Sequence, residues 1–89
     1  MSGLLTLAPI SGLAQHATAP AQQTCVAGEA RSVAGQPYSL ELAVRARRAA
    51  GAREARKIEP GGAYTTDPDA YRLNIEVDRA GAVRDLRCG

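Results

Sequence analysis

The sequence has no Trp and no Phe, and its 3 Tyr are the only aromatic residues. Its 89 residues include 18 Ala against 8 Leu, 5 Val and 3 Ile, so a core must be built from few aliphatic side chains and many small ones. A chain this short cannot both bury such a core and wall a large pocket. We therefore expect one small binding, inhibitory or structural domain that uses no cofactor and is not an enzyme.

Lys, Arg, Asp and Glu are absent from the first part of the chain: the first is Glu29 and the last is Arg87. The uncharged part opens with an apolar run, Leu4 to Leu13, that is too short to span a bilayer. Ala17-Thr18-Ala19 then fits the small-x-small pattern of signal cleavage. We predict that residues 1–24 are a signal peptide, the alternative being a disordered tail, and that residues 25–89 form a secreted or periplasmic domain.

The sequence has only two cysteines, Cys25 and Cys88, one at each end of the charged segment. This placement predicts a disulfide between them, which would disfavour the unfolded chain by about 4 kcal/mol and indicate an oxidising compartment. The alternative is two unrelated thiols. Together with the single His16 they do not supply a tetrahedral ligand set, so we expect no metal site.

The net charge of +2 is too small to indicate a nucleic acid or an acidic membrane as a partner. Arginines are frequent between Arg45 and Lys57, but Glu41, Glu54 and Glu59 lie among or beside them and no aromatic platform accompanies them. These charges are typical of solvated helix and strand faces. We expect a monomer that does not bind nucleic acid.

One helix is well marked by its ends. Ser39 is a suitable N-cap, the stretch from Leu40 to Ala50 is rich in Ala, Leu and Arg, and Gly51 follows it. Residues 29–34 can make a shorter helical turn. On a helical wheel the apolar side of the longer helix is predicted to hold these residues: Leu40, Ala43, Val44, Ala46 and Ala50.

Three strands are predicted after the helix. Leu73, Ile75 and Val77 alternate with polar residues and give the clearest strand pattern. Residues 52–59 alternate weakly, and residues 82–88 are predicted to form a last strand. In that last strand a bulge is needed if Val83 and Leu86, three residues apart, are both to face the core.

An eleven-residue segment without apolar periodicity, residues 60–70, separates the first two predicted strands. It is long for a hairpin, but a connection of about this length is the least that two adjacent parallel strands require. Loops of this length are more often functional than passive. A polar surface connection is the alternative.

A series of short motifs runs through residues 25–89: Gly35-Gln36-Pro37, Arg47-Arg48-Ala49-Ala50-Gly51-Ala52, Pro60-Gly61, Thr65, Asp67, Arg72-Leu73-Asn74, Asp78, Gly81 and Cys88-Gly89. In order and spacing this series resembles a family of small secreted peptidase inhibitors typified by a fungal elastase inhibitor. That family is similar in turn to potato inhibitor I and eglin. The resemblance implies an α+β fold, wedge-shaped, with one main helix packed on a small mixed sheet and an exposed loop between parallel strands.

The resemblance also implies a function, inhibition of a serine protease whose cleft the loop enters as a substrate would. The protease-binding loop would consist of Tyr64, Thr65, Thr66, Asp67, Pro68 and Asp69. Thr66 would fill the primary specificity pocket, with Thr66-Asp67 as the scissile bond. Thr65 and Asp67 would turn back toward the body of the domain, where Arg72 would hold them by charge-assisted hydrogen bonds. Asn74, two residues on, would share that face of the strand.

Thr66 is small and uncharged, which favours elastase-like or subtilisin-like proteases over trypsin-like ones. Pro68 stands where members of that family usually carry an aromatic residue, and Asp69 where a basic or polar one is common. Pro68 also lacks the backbone N–H that an inhibitor would offer just beyond the scissile bond. The same Pro favours an extended Asp67. The alternative function is a structural or binding role in the cell envelope that keeps the inhibitor fold without inhibiting a protease.

Overall fold

The computed structural model describes residues 24–89. The predicted signal peptide and His16 therefore lie outside the described residues, apart from Thr24. The elements follow in the order 3₁₀ helix (Ala27–Val33), α1 (Leu40–Ala50), β1 (Glu54–Ile58), β2 (Arg72–Val77) and β3 (Val83–Cys88). No helix within residues 24–89 is long and apolar enough to cross a membrane.

Both ends of α1 are those predicted from the sequence. The Ser39 hydroxyl oxygen accepts a hydrogen bond from the Leu42 N–H at 3.0 Å, which satisfies one of the free donors of the first turn. Gly51 ends the helix in the left-handed conformation, with φ 72°, and its N–H reaches the last-turn carbonyl of Arg48 at 3.1 Å. The helix is thus fixed locally before any tertiary contact is considered.

The buried face of α1 differs from the predicted one. Leu42 is buried together with the three alanines of the predicted face, whereas Leu40 is 78% exposed and Val44 is 43% exposed. Leu42, Ala46 and Ala50 are each four residues apart and so form a single stripe. With Leu42 directed at the core, Leu40 and Val44 fall on the flank of the helix beside β1.

The three strands form a mixed sheet in the order β1-β2-β3. β1 is parallel to β2, and β2 is antiparallel to β3. The pairing of β2 with β3 shifts register at Glu76/Val77, and this irregularity allows Val83 and Leu86 both to be buried. The predicted bulge is therefore confirmed, as is the predicted α+β architecture with a loop between parallel strands.

The core lies between one face of the sheet and the two helices. Its largest fully buried side chains are Leu42, Leu73, Ile75 and Leu86, and alanines fill the spaces around them. Each large side chain contributes roughly 1.5–3 kcal/mol by burial. β2 is also covered on its other face, where Arg72 and Asn74 are 8% and 2% exposed. That second face supports the loop.

A disulfide joins Cys25 to Cys88, with the two Cα atoms 5.9 Å apart. The pairing predicted from the placement of the two cysteines is therefore present. Cys25 precedes the 3₁₀ helix and Cys88 ends β3, so the bond ties the start of the domain to the edge of the sheet. Both residues are partly buried against the core.

Candidate functional site

The connection between the parallel strands β1 and β2 spans residues 59–71, and residues 59–68 are exposed. It opens with a tight turn in which the Gly62 N–H donates to the Glu59 carbonyl at 3.0 Å. Pro60 and Gly61 are the central residues, and Gly61 has a φ of 77°, as the third position of a type II turn requires. The loop therefore leaves the sheet edge in a defined direction.

The C-terminal arm of the loop is held by Arg72, the first residue of β2. Its Nη2 donates to the backbone oxygen of Asp67 at 2.7 Å, and its Nε donates to the backbone oxygen of Gly89 at 2.8 Å. The Glu54 carboxylate lies 3.8 Å from Nη1 and balances part of the charge. Because the guanidinium is planar and rigid, these contacts fix Asp67 relative to the sheet.

Asn74 lies on the same face of β2, as predicted. Its Nδ2 donates to the Gly89 backbone oxygen at 3.0 Å, so Arg72 and Asn74 share one acceptor. Its Oδ1 accepts from Nε of Arg56 at 2.9 Å. Every buried side-chain nitrogen and oxygen within residues 24–89 has a hydrogen-bond partner, so this polar layer is complete.

Thr65 is held by a residue that the sequence did not indicate. The prediction assigned both Thr65 and Asp67 to Arg72, but only Asp67 is bonded to it. Nη1 of Arg56, on β1, donates to the Thr65 hydroxyl at 3.2 Å and lies 3.4 Å from the Thr65 backbone oxygen. Arg56 is paired with Asn74 in the parallel register, which explains why its side chain reaches the same face.

Tyr64 folds back over the first turn of the loop. Its hydroxyl oxygen accepts from the Glu59 N–H at 2.7 Å, and the Arg56 guanidinium lies 5.5 Å from the ring centroid. A Cβ at Gly62 would lie 2.5 Å from the Tyr64 hydroxyl oxygen, so the ring occupies the space above that glycine. Much of this side chain is directed at the loop itself.

Thr66 stands between the two held residues. It is exposed, and the hydrogen bonds within residues 24–89 include none to its side chain. Pro68 is also exposed. Asp69 closes the loop, since its carboxylate accepts from the Tyr71 N–H at 2.9 Å and its carbonyl accepts from the Arg72 N–H at 3.1 Å.

One ion pair stands at the start of the loop. Nζ of Lys57 lies 2.8 Å from the Glu59 carboxylate, and this hydrogen bond raises the pKa of Lys57 above its ordinary value. The pair is exposed and therefore contributes little to stability. Residues 24–89 contain no group of three or more His, Cys, Asp or Glu side chains placed to hold a metal ion.

The loop is thus held on both sides of Thr66, at Thr65 by Arg56 and at Asp67 by Arg72. Residues 25–89 match the model of the Peptidase inhibitor I78 family. The chain belongs to this family. Among solved structures this I78 member is similar to the elastase inhibitor AFUEI, with 29% sequence identity and a TM-score of 0.54, over 66% of this chain and 81% of that one. No curated protein sequence matches the chain.

Proposed function

We propose that this I78 member inhibits serine proteases of elastase-like or subtilisin-like specificity through residues 64–69. Thr66 would occupy the primary specificity pocket and Thr66-Asp67 would be the scissile bond. The observation that supports this register is the position of Thr66 between two tethered neighbours. Arg56 contacts Thr65 and Arg72 contacts Asp67, whereas the Thr66 side chain makes no hydrogen bond within residues 24–89.

Tethering on both sides distinguishes an inhibitor from a substrate. A loop that is ordered before it binds loses less conformational entropy in the protease cleft. Once the bond after Thr66 is cut, the new ends would still be tied, the one through Thr65 and the other through Asp67. The cleaved ends would then stay close enough for the bond to re-form, and the complex would dissociate slowly.

The chemistry of Thr66 supports the choice of target. A small, uncharged side chain leaves the buried acid of a trypsin-like pocket unpaired, and a β-branched one fills a deep hydrophobic slot poorly. Elastase-like and permissive subtilisin-like pockets require neither a cation nor a large apolar side chain. The likeness to the elastase inhibitor AFUEI supports the same assignment.

The disulfide supports a site of action outside the cytoplasm, because such bonds persist in oxidising compartments. We therefore propose that the domain acts in the periplasm or outside the cell. As the sequence predicts, it would act there as a monomeric inhibitor and not as an enzyme. Pro68 is the observation that favours the alternative, a cell-envelope protein that has kept the fold. It removes one backbone donor from the surface that would face the protease.

The test is a titration of elastase-like and subtilisin-like proteases with the oxidised full chain, following protease activity and the intact mass of the added protein together. Stoichiometric loss of activity with slow cutting confined to Thr66-Asp67 would support the proposal. Rapid cutting without inhibition would contradict it, and no interaction with any protease would favour the envelope role.

A matched pair of variants separates the loop from the rest of the domain. Thr66→Asp places a charge in the specificity pocket and should abolish inhibition of an elastase-like protease. Ser32→Asp introduces the same charge in place of a small hydroxyl side chain at an exposed position on the 3₁₀ helix, away from the loop, and should leave inhibition unchanged. Equal inhibition by both variants would place the contact surface elsewhere on the domain.

A further inference from the structure

The N-terminal arm of the loop, residues 59–65, has a support of its own that is separate from Arg72. Three residues build it, and we call them the clasp: Arg56, Gly62 and Tyr64. The Tyr64 hydroxyl accepts from the Glu59 N–H at 2.7 Å, so the side chain of a residue near the end of the arm is bonded to the backbone at its beginning. The arm is thereby closed on itself.

Gly62 provides the space that this closure needs. A Cβ at this position would lie 2.6 Å from Cε2 of the Tyr64 ring and 2.5 Å from its hydroxyl oxygen. Such distances force one of the two groups to move. A side chain at residue 62 would therefore push Tyr64 off the turn and away from the Glu59 N–H.

Arg56 connects the closed arm to the sheet. Its Nε is fixed by the Oδ1 of Asn74, whose side chain is buried and bonded in turn to the Gly89 backbone oxygen. Its Nη1 donates to Thr65, and the guanidinium lies over the Tyr64 ring at 5.5 Å. Because the buried Asn74 amide fixes one edge of the Arg56 guanidinium, the guanidinium holds both Tyr64 and Thr65 in place.

We propose that Arg56 and Tyr64 are positioning residues of the loop, and that Tyr64 acts mainly inward, by holding the arm, and not as a contact to the protease. The consequence for inhibition rests on the proposed function above. With the clasp intact, Thr65 presents Thr66 in one orientation. Without it, the arm between Glu59 and Thr65 keeps only its first turn, and a bound protease would cut the loop as a flexible substrate.

The domain itself offers a matched control. Arg53 lies 4.3 Å over the ring of Tyr71, so it makes the same kind of cation–ring contact as Arg56, but with a residue outside the arm. Arg53→Gln and Arg56→Gln remove the same charge from nearby positions. Any difference between the two variants in the loop therefore reports on the clasp and not on the loss of an arginine.

The experiment compares three variants of the full oxidised chain, Arg56→Gln, Tyr64→Phe and Arg53→Gln, by two measurements. The first is amide hydrogen exchange of the free protein at Glu59 and at Ile75. Tyr64→Phe removes the acceptor of the Glu59 N–H, so exchange there should rise about tenfold, while the core amide of Ile75 should stay within the range set by Arg53→Gln. A merely structural role would change both amides.

The second measurement is the single-turnover rate of cutting at Thr66-Asp67 in the complex with a subtilisin-like protease. Arg56→Gln should raise this rate at least tenfold, because it removes the charge-assisted hydrogen bonds from Arg56 to Thr65, and Tyr64→Phe should raise it about fivefold. Arg53→Gln should leave it unchanged. If the wild-type chain inhibits but Arg56→Gln is cut no faster than Arg53→Gln, the inference is overturned and the proposed function stands.

If the wild-type chain inhibits no protease, the proposed function fails and hydrogen exchange alone decides the clasp. Unchanged exchange at Glu59 in Tyr64→Phe would then overturn it. A rise at Glu59 without a rise at Ile75 would support it as a feature of the loop. The two failures are therefore told apart by the wild-type titration.

Discussion

The guanidinium of Arg72 bridges the loop and the end of β3: its Nη2 lies 2.7 Å from the backbone oxygen of Asp67, while its Nε lies 2.8 Å from that of Gly89. A single rigid group thus sets the distance between the loop and the sheet edge. The guanidinium is largely buried, so water competes little for these bonds. Arg72 thus holds the C-terminal arm of the loop at Asp67, and Arg56 holds the N-terminal arm at Thr65.

Replacing Arg72 should therefore convert an inhibitor into a better substrate. Arg72→Ala leaves the Asp67 oxygen without its donor and leaves the Gly89 oxygen only the bond from Asn74, so it should lower the free energy of unfolding by about 1.5–3 kcal/mol. The rate of cutting at Thr66-Asp67 should rise by a larger factor than global unfolding explains. Both quantities are measurable, by urea denaturation and by mass spectrometry of the protease mixture.

The control for this variant is Arg87→Ala, which removes an exposed arginine that pairs with Glu76 on the neighbouring strand. The Arg87 side chain is 57% exposed but that of Glu76 only 16%, so losing the pair should lower the free energy of unfolding by about 1 kcal/mol. Arg87→Ala should leave the cutting rate unchanged. Equal effects of the two variants on cutting would show that Arg72 has no special role in holding the loop.

Much of this fold was predictable from short-range sequence signals, such as helix caps and apolar alternation. Ser39 and Gly51 mark both ends of α1 through backbone chemistry that involves only neighbouring residues. The alternation of Leu73, Ile75 and Val77 identifies β2 because its two faces meet different surroundings. In these cases the physical cause lies within a few residues of its effect.

The residues that the sequence did not reveal depend on how elements pack. The role of Arg56 follows from its pairing with Asn74 across the parallel strands, and the weak alternation of β1 did not give that register. The rotation of α1 that buries Leu42 and exposes Leu40 is set by the sheet and the 3₁₀ helix together. Periodicity cannot resolve it when nearly every candidate position is Ala, Leu or Val.

Pro68→Ala should tighten inhibition. The substitution introduces a backbone N–H just beyond the proposed scissile bond, which would add one hydrogen bond to the protease and about tenfold in affinity. The rigidity that Pro68 gives to Asp67 is of less consequence, because Arg72 already holds the Asp67 oxygen. The inhibition constant against a subtilisin-like protease is the measurement.

Pro60→Ala is the matched control, since it makes the same change at the first central residue of the Glu59–Gly62 turn, on the other arm. It adds an N–H that faces no protease in the proposed register and should not tighten inhibition. If Pro68→Ala weakens inhibition while Pro60→Ala does not, the loop needs the rigidity of Pro68 more than the lost donor.

The disulfide should support the loop as well as the fold. It closes a separation of 63 residues, so its loss should lower the free energy of unfolding by about 4 kcal/mol in the chain-entropy model. Cys88 adjoins Gly89, whose backbone oxygen accepts hydrogen bonds from both Arg72 and Asn74. The Cys25 N–H donates to the backbone oxygen of Ala70, near the end of the loop, at 3.0 Å. Cutting of the loop should therefore also accelerate.

The Cys25→Ser/Cys88→Ser variant and the reduced wild-type chain should behave alike in urea denaturation, because each lacks the same constraint. The expected loss is a large share of the total free energy of unfolding, which is about 5–15 kcal/mol for a small domain. An unchanged urea midpoint after reduction would contradict the prediction. An altered midpoint with an unchanged cutting rate would restrict the role of the bond to the fold.

The identity of residue 66 should select the target protease. Thr66 is exposed and outside the hydrogen-bonded support of the loop, so Thr66→Arg should change the free energy of unfolding by less than about 0.5 kcal/mol. It should abolish inhibition of elastase-like proteases and create inhibition of trypsin-like ones, whose pocket pairs a buried acid with a cation. Inhibition constants against both proteases measure this change of specificity.

Thr65→Arg is the control, because it breaks the contact with Arg56 and puts the charge one residue too early. If Thr65→Arg and not Thr66→Arg creates the trypsin-like inhibitor, the scissile bond lies one residue earlier than proposed.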